Sequence, residues 1–300
     1  MLKKTKKKRL GAVTNDHLMR KPIQKYFPIF LLPTVLAFVI GFVWPFIWGI
    51  YLSFYNFKTL SMKSFTGVEN YVKAFNDSDF LNSFVFTAAY TVISVILINI
   101  LAFMVAYVLT KGIKGSTTFR TVFFMPNLIG GIVLGYIWQL IINGVVSLIN
   151  PTWILALNAK TGFIGLVILM CWQQIGYMMI IYIAGLQSVP TSYIEAAKID
   201  GASSWQILRK ITIPCVMPSI TICTFLTLTN SFKLFDQNLA LTNGEPGGKT
   251  EMLALNIYKT FYESSISKGI GQAKAVIFFA LVVVIALVQL YFTRRKEMQQ

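Results

Sequence analysis

The sequence offers little that could do covalent chemistry. Its one histidine, His17, lies in a polar amino-terminal arm, and Cys171, Cys215 and Cys223 sit in or at the edge of apolar runs. Neither metal-ligand spacing nor a nucleophile–base arrangement nor a glycine-rich phosphate loop is present, so the chain itself is expected to be no enzyme and to hold no metal or cofactor. The cysteines read as small core residues. The available chemistry belongs to uncharged groups inside apolar runs. Asn127, with Pro126, Gly130 and Gly131, interrupts one run, and Gln139 follows. Trp172, Gln173, Gln174, Gly176 and Tyr177 lie in the next; Thr227, Thr229, Asn230 and Ser231 lie in a third, with Lys233 and Leu234 just past its end. Amides and hydroxyls beside flat rings suit a neutral polyol such as a sugar: the rings stack on its apolar face and the amides bond its hydroxyls. The same groups also bond helices to one another inside a bilayer, and for each residue both readings stay open. Lys233 could meet an acidic group on a solute, pair with Asp236, or face lipid headgroups.

The elements that position these groups are membrane spans. Of 300 residues 55% are hydrophobic and 13% charged, against roughly 25% charged in a soluble domain. Too few charges remain to cover a water-facing surface, and an all-α integral membrane protein is expected. Apolar runs at about 27–54, 83–109, 121–142, 163–185, 216–232 and 273–292 each approach the ~20 residues needed to cross the hydrocarbon. The net charge of +16 would suggest nucleic acid in a soluble protein. Here lysine and arginine cluster beside the spans and form no basic face with interleaved aromatics, so nucleic acid is not expected as a partner. Segments 1–26, 111–120, 186–214 and 293–300 carry nine, three, three and three basic residues; the longer segments 55–82, 143–162 and 233–272 carry three, one and four. By the positive-inside rule both termini and the segment between spans four and five face the cytoplasm. The expected organisation is a basic arm over 1–26, six spans within 27–292 and a tail over 293–300. The first apolar run is too long for a cleaved signal peptide. Among the outward segments, 65–76 carries Val68, Tyr71, Val72 and Phe75 at helical spacing, predicting a short surface helix. Pro151 to Trp153 opens another such piece. Segment 233–272 has a cluster of turn formers from Leu241 to Gly248, then a helix predicted over 250–263.

No Asp, Glu, Lys or Arg falls inside the first four spans or the central turns of the last two. Ion-coupled carriers keep ionisable groups at membrane depth; their absence points to an energy source outside the bilayer. The cytoplasmic stretch 191–218 is where such energy could enter. It carries two helix-start patterns, Ser192-x-x-Glu195 and Ser203-x-x-Gln206. Gly201 between them suits a left-handed helix end, and Pro214 and Pro218 mark entry to the next span.

Glu195-Ala196-Ala197, Asp200-Gly201-Ala202, Ile211 and Pro214 resemble the EAA loop of ABC importer permeases, E-A-A-x3-G-x9-I-x-L-P, departing only at Ile213 where Leu is usual. The stretch from Trp172 through Gln187-x-x-Pro190, Phe235-Asp236, Leu241-Thr-Asn-Gly244, and the first-span sequence followed by FTGVENYVKAF resemble the carbohydrate class, in particular its larger, maltose-permease-like subunit. The resemblance implies that the loop, with Glu195, Ala196, Ala197, Asp200, Gly201 and Ala202, is a coupling helix docking on an ATPase. Two ATPase copies would bind ATP and Mg, beside a homologous second permease and an extracytoplasmic solute-binding protein, in a bacterial-type cytoplasmic membrane. It further implies solute contacts at Asn127, Gly131, Gln174, Tyr177, Asn230, Ser231 and Leu234, of which only Tyr177 keeps the residue type; Trp172, Gln173 and Lys233 stand beside them. The solute expected is a sugar or oligosaccharide, with glycerol-phosphate, or an ATPase-independent channel or carrier, as alternatives.

Overall fold

The computed structural model describes residues 16–59, 62–263 and 268–297. The basic run Lys3–Arg9 and tail residues 298–300 lie outside them. Contacts divide the chain after Tyr51. The first unit is one helical path: α1 (Asp16–Phe38), a π turn (Val39–Val43) and α2 (Trp44–Leu52). Its apolar stretch from Tyr26 exposes rings that stack along the helix, Phe38 on Phe42 at 5.3 Å and Trp44 on Trp48 at 6.4 Å. Exposed apolar side chains over such a length are what hydrocarbon requires.

The second unit begins with an antiparallel hairpin, β1 (Tyr55–Thr59) and β2 (Met62–Phe65), a departure from the all-helical expectation. The short helix expected over 65–76 is α3 (Glu69–Phe75). Its inward face is Asn70 and Ala74, with the Asn70 amide donating to the Ser53 and Tyr55 carbonyls, while Val68, Val72 and Phe75 face outward. The second span, α4 (Ser78–Leu109), runs unbroken. The third is interrupted as the sequence suggests: α5 (Ser116–Phe124), a 3-10 turn (Met125–Leu128), then α6 (Gly131–Ile149). The fourth, α7 (Ala159–Gln187), is buried along much of its length. After α8 (Thr191–Ile199) and α9 (Ser204–Ile207), a π turn (Leu208–Thr212) and α10 (Ile213–Cys215) lead to α11 (Met217–Phe232) across a 69° bend. The fifth expected span is therefore one arm of a bent pair. Then come α12 (Asp236–Leu241), α13 (Leu253–Tyr262) within the predicted 250–263, and α14 (Lys268–Glu297). Among the described residues five helices are long and apolar enough to cross a membrane, six if the bent pair counts as one span. Pro151 to Trp153 is a single 3-10 turn.

Helix α7 is the axis of the second unit. Its Tyr182 hydroxyl donates to Asn99 Oδ1 on α4 at 2.6 Å, and Asn99 Nδ2 donates to Thr227 Oγ1 on α11 at 2.8 Å, so one chain of hydrogen bonds ties three spans. Such bonds contribute roughly 0.6–2 kcal/mol each in a bilayer. Cys171 and Cys223 are buried in this core and Cys215 packs at its edge, all as free thiols.

A second tie joins helix ends. Lys274 on α14 is 1% exposed, and its ammonium donates to Asp77 Oδ2 at 2.7 Å, Asn256 Oδ1 at 2.9 Å and Thr260 Oγ1 at 2.9 Å. All three donors of the ammonium are used. Asp77 also caps α4, its Oδ1 accepting from the Asp79 and Phe80 amides. Partial burial raises the Asp77 pKa, but the Lys274 contact and the two amides outweigh it, leaving the carboxyl below its ordinary 3.8. A carboxyl lowered on folding stabilises fully above its unfolded value, and that contribution fades as pH falls through the native one. Asp77→Asn is expected to cost about 3 kcal/mol at neutral pH by stranding the buried ammonium, read as a lower thermal midpoint in detergent. The gap to wild type should close as pH is taken below 3.8.

Candidate functional site

The loop between α7 and α11 has two well-defined joints. Helix α8 starts two residues before the Ser192 pattern predicts: Pro190, with φ −61° and ψ 128°, is the N-cap and makes no side-chain cap. Proline sets the extended entry by its own ring, so Ser192 falls inside the first turn and Glu195 is left exposed. The second pattern forms as expected, Ser203 Oγ accepting from the Gln206 amide and Gln206 Oε1 from the Ser203 amide. Between them Gly201 stands at φ +79°. The Ala202 amide donates to the Ala197 carbonyl at 2.9 Å and the Gly201 amide to the Lys198 carbonyl at 3.1 Å, the paired bonds of a Schellman helix end. Glu195, Ala196, Ala197, Asp200, Gly201 and Ala202 are thereby held on one capped turn. Around it, in a polar stretch, Tyr193, Ile199 and Trp205 are 58%, 87% and 65% exposed. Beyond the loop the 69° bend falls between Pro214 and Pro218. Pro218 has no N–H to offer the Pro214 carbonyl, and the ladder breaks there.

At the other end of α11 lies a cavity of about 410 Å³. Gln174 and Met170 enter it from α7, Asn230 from α11, and Lys233, Leu234, Phe235, Asp236 and Gln237 from the chain that turns back into α12. The interruption of span three explains this shape. Breaking the helix releases the Ile129 carbonyl, which accepts from Gln173 Nε2 at 3.2 Å; Gln173 Oε1 in turn accepts from Gln237 Nε2 at 2.7 Å. Asn230 Nδ2 donates to Gln174 Oε1 at 3.3 Å, and both side chains line the cavity. Ser231 Oγ is buried and has no hydrogen-bond partner among the described residues.

The structure sorts the polar groups that the sequence left in two classes. Thr227 bonds Asn99, Thr229 bonds its own helix, and Gln139 Nε2 bonds the Leu241 carbonyl; these hold helices together. Gln174, Asn230, Lys233 and Leu234 share the cavity. Gln173 stands behind it, and Gly131 abuts α12. Trp172 packs edge-on against Trp138 at 5.6 Å with much of its ring exposed, Tyr177 packs on the hydrophobic core, and Asn127 sits half-buried in the 3-10 turn. None of these three lines the cavity. Sequence reasoning missed α12 and with it Gln237. A Cβ on Gly131 would meet Asp236 Cβ at 2.8 Å, and one on Gly135 would meet Ala240 Cβ at 2.5 Å. The Gly131-x-x-x-Gly135 spacing, a known device for close helix approach, was the signal available.

Residues 98–298 match the protein family described as binding-protein-dependent transport system inner membrane component. The chain is 43% identical, over 91% of its length and 96% of the relative's, to the probable starch degradation products transport system permease protein AmyD of Thermoanaerobacterium thermosulfurigenes. It is 29% identical, over 93% and 99%, to the multiple sugar-binding transport system permease protein MsmF of Streptococcus mutans. Its fold is similar to a chain of a bacterial alginate ABC transporter solved with an alginate pentasaccharide-bound periplasmic protein. The TM-score is 0.76 and the identity 20%, over 92% of this chain and 96% of that one.

Gln173→Leu tests the hydrogen-bond relay that shapes the cavity. It strands the Ile129 carbonyl and the Gln237 amide, and is expected to lower stability by about 1–3 kcal/mol. The thermal midpoint of the purified protein in detergent would report it.

Proposed function

The chain belongs to the family of binding-protein-dependent transport system inner membrane components, and we infer that it is the permease subunit of an ATP-driven importer for a sugar or oligosaccharide. As a multi-pass inner membrane protein it is a transport subunit; ATP and Mg are assigned to a partner ATPase. The observation that carries the solute reading is the amide-lined cavity, where Gln174 and Asn230 present neutral hydrogen-bonding groups beside Phe235 and no cluster of like charge. Hydroxyl-rich neutral solutes match that lining. The names of the two sugar-permease relatives support it. The loop supports the energy source: three exposed apolar side chains around a capped turn are suited to docking in a protein groove rather than to facing water. In this reading ATP closes the ATPase dimer, the dimer moves α8, and the cavity opens to a solute-binding protein, beside a second, homologous permease. Lys233, which makes no ion pair among the described residues and lines the cavity, favours a second reading in which the solute carries an acidic group.

In vesicles holding the reconstituted transporter, Gln174→Ala should reduce solute uptake about tenfold by removing one amide hydrogen bond. Uptake equal to wild type would move the solute site elsewhere; Tyr177→Ala, outside the cavity lining, should leave uptake closer to wild type than Gln174→Ala does. Glu195→Lys and Gly201→Val should leave the complex assembled but abolish solute-stimulated ATP hydrolysis. Valine at the left-handed position also costs of order 1–2 kcal/mol locally. Normal coupling in both variants would remove the loop from the mechanism.

A further inference from the structure

A row of aromatic rings continues outward from Phe235. The Phe235 ring stands 5.3 Å from Tyr258 on α13, centroid to centroid, and Tyr258 stands 5.1 Å from Tyr262 one helical turn further on. Phe235 lines the cavity, Tyr258 is half-buried, and Tyr262 is 67% exposed, so the row climbs from the polar pocket to open surface. Exposure rises along α13: Leu253, Leu255 and Asn256 near its start are buried, with the Leu253 amide donating to Thr87, whereas Tyr258 is half-buried and Tyr262 exposed. The tyrosines are therefore not core residues of the helix. Neither tyrosine hydroxyl makes a hydrogen bond among the described residues, leaving each ring an apolar face and a free polar tip.

We propose that Phe235, Tyr258 and Tyr262 form an entry track that passes a linear saccharide chain, ring by ring, from the outer end of the second unit to the Gln174–Asn230 pocket. The proposal rests on the saccharide reading above. A pyranose has an apolar face of C–H groups that lies on an aromatic ring and an equatorial rim of hydroxyls that the tyrosine tips can bond. Contiguous rings let one glycosyl unit advance as the next takes its place, without fixing any single position. A membrane-interface belt is the other use of exposed tyrosine. It does not account for a row whose inner member lines a polar cavity. The segment that precedes α11 is the capped loop and the segment that follows it carries the row, so track and loop lie at opposite ends of that helix.

The test uses the complete transporter, with its partner subunits, in vesicles and a series of glucans: glucose, maltose and longer linear chains. Tyr258→Ala and Tyr262→Ala should raise the half-saturating concentration of the longer glucans about fivefold while maltose is scarcely affected. Tyr258→Phe and Tyr262→Phe should keep most of the wild-type value, since the ring is retained. Alanine variants that import every length as wild type does would overturn the track. So would an equal loss at every length accompanied by a lower yield of complex, the mark of a membrane anchor. A wild-type complex that hydrolyses ATP but imports no glucan would overturn the saccharide reading, and the track with it.

Discussion

A backbone carbonyl at membrane depth has no water to turn to, and this constraint organises the second unit. Interrupting span three at Pro126 through Gly130 releases such a carbonyl at Ile129, and the Gln173 side chain must reach it. Reaching it commits α7 to a fixed rotation, with Gln174 on the cavity side. It also leaves Gln173 Oε1 to hold Gln237, which brings α12 against α6. Close crossing is a condition of the same arrangement. A Cβ on Gly176 would collide with the Phe123 carbonyl, so only glycine lets α7 pass the end of α5 at this depth. The cavity is in this sense a by-product of repairing a broken helix.

What was legible in the sequence follows the range of the forces involved. Spans were legible because hydrocarbon thickness demands a length of apolar residues and nothing else. The Ser203 box and the Gly201 helix end were legible because both are satisfied within a few residues of chain. The Ser192 start was misplaced by two residues, since Pro190 sets the entry without a side-chain bond. The 69° bend, the pairing of β1 with β2 and α12 were not legible. Helix α12 is held by contacts with Gly131, Gly135 and Gln173, which are about a hundred or fewer positions away in sequence and adjacent only in the fold. The site residues divide in the same way. Gln174 and Asn230 reach the cavity because neighbouring helices face them there, and Trp172, one turn position aside, is carried to the outer face of α7.

The capped loop and the cavity sit at the two ends of a helix path that is bent rather than straight. Force applied along α9 and α10 meets α11 at a steep angle, and the polar chain Tyr182–Asn99–Thr227 is anchored beyond the bend. In the proposed importer this geometry allows α11 to swing about a fixed middle, moving Asn230 and Lys233 at its far end.

The Lys274–Asp77 tie bears on how the chain is made. The two residues are 197 positions apart, and synthesis delivers the carboxylate long before the ammonium. Asp77 can draw on the α4 amides from the start, whereas its cation comes from α14 and that cation's other two acceptors, Asn256 and Thr260, from α13. The beginnings of α4 and α14 are thus tied together across most of the chain.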